Sequence, residues 1–212
     1  MNFITNEIEL DKIANVLGEI ERIRLLDKSG HADFVNEIRW NNSEAEKTLD
    51  GIDLKTIDLS NSETVGLEIA KEPEIIELLK DWNLGGAFKK LTIKSIDSAG
   101  AIGIITTKEL NNKTHLNGGR AVQKAWLEAN LNGISFQPIA SSVFLFHRLI
   151  VGNGIGFEKE TINKLNDLRK DYLNALKIDE LNHEIFIFRL CIAENLKTRS
   201  LRKPLNELLL IE

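Results

Sequence analysis

Along most of this chain, apolar residues recur at the three- and four-residue spacing of a helix, and only two stretches break that rhythm clearly. In EIELDKIANVLGEI, Ile8, Ile13 and Leu17 fall near one face with charges opposite, which predicts an amphipathic helix. GHADFVNEIRW continues with Phe34, Val35, Ile38 and Trp40 turned inward. NNSEAEKTLDG has the form of a short capped helix, with Ser43 as N-cap, Glu46 three residues on and Asp50-Gly51 as its stop. IDLKTIDLS alternates weakly, as a short extended segment does. SETVGLEIA and PEIIELLKDW read as helices, with Pro73 in the first turn of the second, and GGAFKKLTIKSIDSAG as a longer one.

AIGIITT then breaks the pattern as a β-branched run, the best candidate for a central strand. A helix follows, opened by Gly118-Gly119 and closed by Gly133. SFQPIA is short and extended, and SSVFLFHRLI is helical. EKETINKLNDLRKDYLNAL is strongly amphipathic through Ile162, Leu165, Leu168, Tyr172 and Leu176. HEIFIFRLCIA is the second clear strand, and KPLNELLLIE forms an arm or a final turn. Helices outnumber strands, and the two strands lie far apart in sequence. The expected fold class is therefore α+β: a small, mostly antiparallel sheet wrapped by helices.

Length and composition sharpen this picture. The 212 residues are enough to bury a core without staples, and no Pro-, Gly- or Ser-rich linker divides them, so a single domain over 1–212 is expected. The one cysteine, Cys191, allows no intrachain disulfide, which points to a reducing, cytoplasmic setting. A net charge of −5 does not favour nucleic acid or anionic membrane as partners. MNFITNEIEL lacks the basic start and apolar core of a secretory signal, and no apolar run reaches about 18 residues.

Several familiar chemistries are excluded by detail. GNGIGF at 152–157 places Phe157 where a dinucleotide fingerprint needs its third glycine, and a helix pattern precedes it. GISFQ at 133–137 lacks the strand before, the last glycine and the helix immediately after that a nucleophile elbow requires. His31, His115, His147 and His183 are scattered with no pair at ligand spacing, so no metal site is expected.

The stretch LNGGRAVQKAWLEANLNGISFQPIASS, residues 116–142, is the most informative. Ala121, Ala125 and Ala129 stack four apart along one ridge, with Val122 and Trp126 beside them. Small residues on a ridge allow another element to come close. Gly133 suits the left-handed end of a helix, and Pro138 stiffens the exit. An ordinary core helix accounts for the alanines equally well; it accounts less well for so defined an exit into Ser135, Gln137 and Ser141.

This helix and its exit loop, GGRAVQKAWLEANLNGISFQPIA, resemble the central helix and following turn of the nitroreductase-like flavoproteins. SAGAIGIITT falls where that family has a core strand, and FRLCIAENLKTRSLRKPLNELL resembles its last strand and basic C-terminal segment. The likeness covers roughly residues 85–210 and is nearest to the modules found fused behind a ThiF-like adenylating domain. It implies a nitroreductase-like fold, a homodimer, and FMN held at the dimer interface. It also implies that Pro138, Ile139, Ala140 and Ser141 pass the reactive edge of the flavin, with a backbone N–H toward the ring nitrogen that accepts hydride. The basic run Lys197, Arg199, Arg202 and Lys203 would grip the ribityl phosphate, because guanidinium forks match phosphate oxygens. The same run also reads as a solvated surface strip.

Two family signatures are absent: the Arg-x-Ser-x-Arg start of the first helix and the Pro-Ser-x-x-Asn-x-Gln-Pro-Trp loop. Arg22 and Arg24 have the wrong spacing, and Gln137-Pro138 lies in the wrong place. Losing two charge-assisted phosphate contacts costs about 3–6 kcal/mol. Two functions are therefore expected to compete. One is an FMN-dependent oxidoreductase passing hydride from a reduced nicotinamide to an electron-poor acceptor. The other is a non-catalytic module, with a decayed flavin site, kept for dimerisation or for docking a partner domain. A third, that the basic tail alone binds a nucleotide or other phosphorylated ligand, rests on the arginines and lysines alone.

Overall fold

The structure, a computed structural model, describes residues 1–194 and 198–209. The chain is α+β and divides into two compact units, Met1–Arg24 with Gly85–Ala193, and Leu25–Leu84 with Glu194–Glu212.

The first unit is built on a four-stranded antiparallel sheet in the order β1-β4-β6-β5. Its strands are β1 (Asn2–Ile4), β4 (Ala101–Thr107), β5 (Ser135–Pro138) and β6 (His183–Cys191). The two strands legible from hydrophobicity, β4 and β6, pair with each other in the centre, Gly103 opposite Phe188 and Ile104 opposite Ile187. Alternation sends their side chains to two cores. Ile102, Ile104 and Ile187 pack with Ile13, Leu17 and Ile20 of α1 (Glu7–Leu26) and with Ile96 of α6 (Gly86–Asp97). Phe146 of α8 (Ser141–Ile150) and Leu165, Tyr172 and Leu176 of α9 (Lys159–Leu176) complete that layer. On the opposite face, Ile105, Phe136 and Phe188 meet α7 (Asn112–Leu131).

The second unit holds a parallel pair, β2 (Ile38–Arg39) with β3 (Ile52–Asp53). Around it lie α2 (Lys28–Glu37), α3 (Asn42–Thr48), α4 (Asn61–Ile69), α5 (Pro73–Asp81) and the single turn α10 (Leu205–Leu208). Its helix starts are chemically marked. The Asp27 carboxylate accepts from the Ser29 and Gly30 N–H groups at 3.2 and 3.1 Å. Ser60 and Glu63 form a reciprocal capping box on α4. His31 is buried, and its Nε2–H donates to the Ala70 carbonyl at 2.8 Å.

Several sequence expectations are corrected. Ile8 is exposed, and Ile20 and Ile23 take its place on the buried face of a longer α1. The cap of α3 is Asn41, whose side chain accepts from the Glu44 N–H at 2.9 Å while the Glu44 carboxylate accepts from the Trp40 N–H at 2.8 Å. The cap thus sits two residues earlier than Ser43, and Leu49, in the left-handed conformation, ends the helix before Asp50. Gly118-Gly119 does not open α7. The helix begins at Asn112 behind an Asn111 cap that accepts from the Thr114 N–H at 3.0 Å, with the Thr114 hydroxyl accepting from the Asn111 N–H in return. Gly133 does adopt the left-handed conformation, φ 68°.

Candidate functional site

The small-residue ridge of α7 is its sheet-facing side: Ala129 is buried, and Ala121, Val122, Ala125 and Trp126 are half-buried against the sheet. Gly118 lies where any Cβ would collide with the Ile185 side chain on β6, so the absence of a side chain is what lets the helix settle there. Trp126 stacks on Phe136 at 4.6 Å between ring centroids, and Phe136 on Phe188 at 4.2 Å. This aromatic column ties α7 to β5 and therefore to the turn that follows.

That turn carries four of the expected site residues. Pro138 closes β5 on the sheet edge, where its missing N–H breaks no inner ladder bond. The Ile139 N–H donates to the Ile187 carbonyl at 2.9 Å, so it is committed to the sheet. Ala140 is the N-cap of α8 and makes no side-chain cap, and Ser141 is the first helical residue. Pro138 is exposed and the other three are half-buried. The donors it can present are the first N–H groups of α8, at the positive end of that helix.

The basic residues belong to the second unit. Lys197 lies outside the described residues. Arg199, Arg202 and Lys203 are exposed. Arg202 donates Nη1 to the Leu201 carbonyl at 2.9 Å, and Lys203 Nζ stands 3.9 Å from Asp50 Oδ2. Asp50 also binds the Arg39 guanidinium at 2.7 Å. Hydrogen bonds from Arg39 and Thr48 hold its carboxyl below the usual range, and Asp50 in turn raises Arg39. An anion approaching Lys203 therefore meets a carboxylate as well.

Sequence reasoning missed a second constellation in the first unit. Arg169 of α9 pairs with Glu184 of β6 at 2.9 Å, with side chains 13% and 6% exposed. Tyr172 and Ser142 are fully buried beside this pair, and neither hydroxyl makes a hydrogen bond of good geometry. Burial pushes the Tyr172 phenol well above its usual range and the Glu184 charge adds to this, while Ser142 and Arg169 act in the other direction. Glu184 also lines a shallow cleft with His147, His183, Val143, Ile150, Val151 and Leu110. His115 meets His147 edge to face at 6.4 Å, so three histidines that are distant in sequence gather at this end. Among the described residues no three of His, Cys, Asp and Glu form a group able to hold a metal ion. Each residue taken singly is conspicuous in sequence, Arg169 on the apolar side of α9 between Leu165 and Tyr172 and Glu184 just before the apolar run Ile185–Phe188, but nothing in the sequence pairs them.

No family model matches the chain, and no solved structure matches it. Over 194 residues the chain is 26% identical to an uncharacterized protein of Mycobacterium tuberculosis (strain CDC 1551 / Oshkosh), a match covering 90% of this chain and 26% of that relative. The chain thus spans about a quarter of the length of the curated relative it matches. Among the described residues no helix is long and apolar enough to cross a membrane.

Proposed function

We propose that this chain is a nitroreductase-like flavin module that works as a homodimer. In this reading hydride passes from a reduced nicotinamide to FMN, and then to an electron-poor acceptor such as a quinone or nitroaromatic. FMN would supply the redox chemistry, and the protein binding, orientation and electrostatics. The observation that supports the reading most is the path from α7 to α8. A helix seated on the sheet by Gly118 and an alanine ridge leads through β5 into a turn where an uncapped helix start offers N–H donors. Ala140 and Ser141 fit the edge of a planar ring there better than Pro138, which has no N–H, or Ile139, whose N–H is committed to the sheet.

Within the second unit, Arg199 and Arg202, the residues the resemblance assigns to a phosphate, are exposed, while Lys203 is shared with Asp50. No side-chain acid or base at the turn is required, because the flavin carries the hydride step. The extra length of the mycobacterial relative agrees with a module that works beside a further domain, the ThiF-like partner being the expected one.

The reading is tested by titrating the purified protein with FMN. Expected are a perturbed flavin spectrum, a raised melting temperature, and oxidation of reduced nicotinamide in the presence of a quinone. An unchanged spectrum and melting curve at saturating FMN would leave the second reading, a non-catalytic module with a decayed site. The Asp50 carboxylate beside Lys203 and the committed Ile139 N–H favour that alternative.

A further inference from the structure

The net charge of the chain is concentrated in one place. Residues 61–84 hold six carboxylates, Glu63, Glu68, Glu72, Glu74, Glu77 and Asp81, against Lys71 and Lys80. That segment therefore carries −4 of the total −5, and all the rest is close to neutral. It consists of α4, three joining residues, α5 and the three residues that follow it, all in the second unit. Ile76 turns inward, but Leu78 and Trp82, one turn apart on α5, are 44% and 68% exposed, and Leu84 just beyond is 48% exposed. On α4, Val65 and Ile69 show the same four-residue spacing and are 55% and 54% exposed. Glu74 precedes Leu78 by one turn on the same ridge, and Glu77 and Asp81 form the neighbouring one.

A solvated helix face does not need tryptophan and leucine in line, and a bare acidic strip does not explain them. We infer that the Leu78–Trp82 face of α5 is a docking surface for a basic amphipathic helix of a partner polypeptide. Apolar side chains of that helix at four-residue spacing would cover Leu78, Trp82 and Leu84, and its lysines or arginines would meet Glu74, Glu77 and Asp81. Tryptophan is the residue type that most often dominates such interfaces, and a carboxylate rim sets the sign of the partner. The inference is independent of flavin binding, since none of these residues belongs to the proposed flavin site.

The test uses the full chain and two labelled synthetic helices with the same leucine spacing, one with lysine and one with glutamate at the polar positions, followed by fluorescence anisotropy. The lysine helix should bind and the glutamate helix should not. Salt at about 0.5 M should weaken binding strongly. Trp82→Ala should reduce affinity about tenfold or more, with the melting curve unchanged because the side chain is exposed. Glu74→Lys with Glu77→Lys should reverse the preference between the two helices. Equal binding of both helices, no binding of the lysine helix, or full affinity in Trp82→Ala would overturn the inference.

Discussion

Adjacent glycines in α7 meet opposite surroundings. A Cβ on Gly118 would run into Ile185, whose β-branched side chain has little freedom to move, whereas a Cβ on Gly119 meets nothing within 4 Å. Gly118→Val should therefore destabilise the protein by about 1–3 kcal/mol through overpacking. Gly119→Ala should stabilise it by about 0.4–1 kcal/mol by removing backbone freedom from the unfolded chain. Urea melts of the two variants check the opposite signs. Tyr172 permits an equally local test, because it is the sole tyrosine of the chain. Its folded-state pKa is raised, so its contribution to stability is complete below the ordinary tyrosine value, about 10, and is lost as the pH rises above that toward the folded value. The absorbance of tyrosinate should therefore stay silent at pH values where a free tyrosine ionises, and should appear together with loss of the far-ultraviolet helix signal. Tyrosinate rising gradually from pH 10 in a fully folded protein would contradict the burial.

The elements read best from sequence are those whose pattern and surroundings agree. β4 and β6 are dense in β-branched and aromatic residues and lie at the centre of the sheet, and α9 is both periodic and half-buried. β1 was missed because Asn2, Phe3 and Ile4 hold only one core residue, Ile4, and the strand exists because β4 offers it an edge to pair with. The start of α7 was misplaced because glycine reads as a boundary, while here it is a packing device set inside a helix that Asn111 had already begun. Of the expected site, the turn after β5 was legible as a defined helix exit. The Arg169–Glu184 pair was not, since nothing in local spacing joins a helix residue to a strand residue fifteen positions on. That pair has a measurable consequence. Arg169→Leu strands a buried carboxylate and should cost about 3–5 kcal/mol, whereas replacing both partners by apolar residues should cost much less. Calorimetric melts of the single and double variants give the comparison, and equal losses would show that the stranded Glu184 charge is not what costs stability.

For the molecule as a whole, the large apolar side chains left in water are what needs explaining. In the first unit Phe144, Ile155 and Leu131 are 70%, 73% and 81% exposed. Leaving such side chains in water gives up about 25 cal/mol for each Å² that a partner could cover. The proposed homodimer answers this, and light scattering coupled to size exclusion should give twice the 23.9 kDa chain mass. Phe144→Glu places a charge on the outer side of α8, where it disturbs no core contact. It should shift the population toward monomer without lowering the helix signal. A wild-type protein that elutes and scatters as a monomer at micromolar concentration would refute the dimer, and would leave these apolar side chains to a different chain.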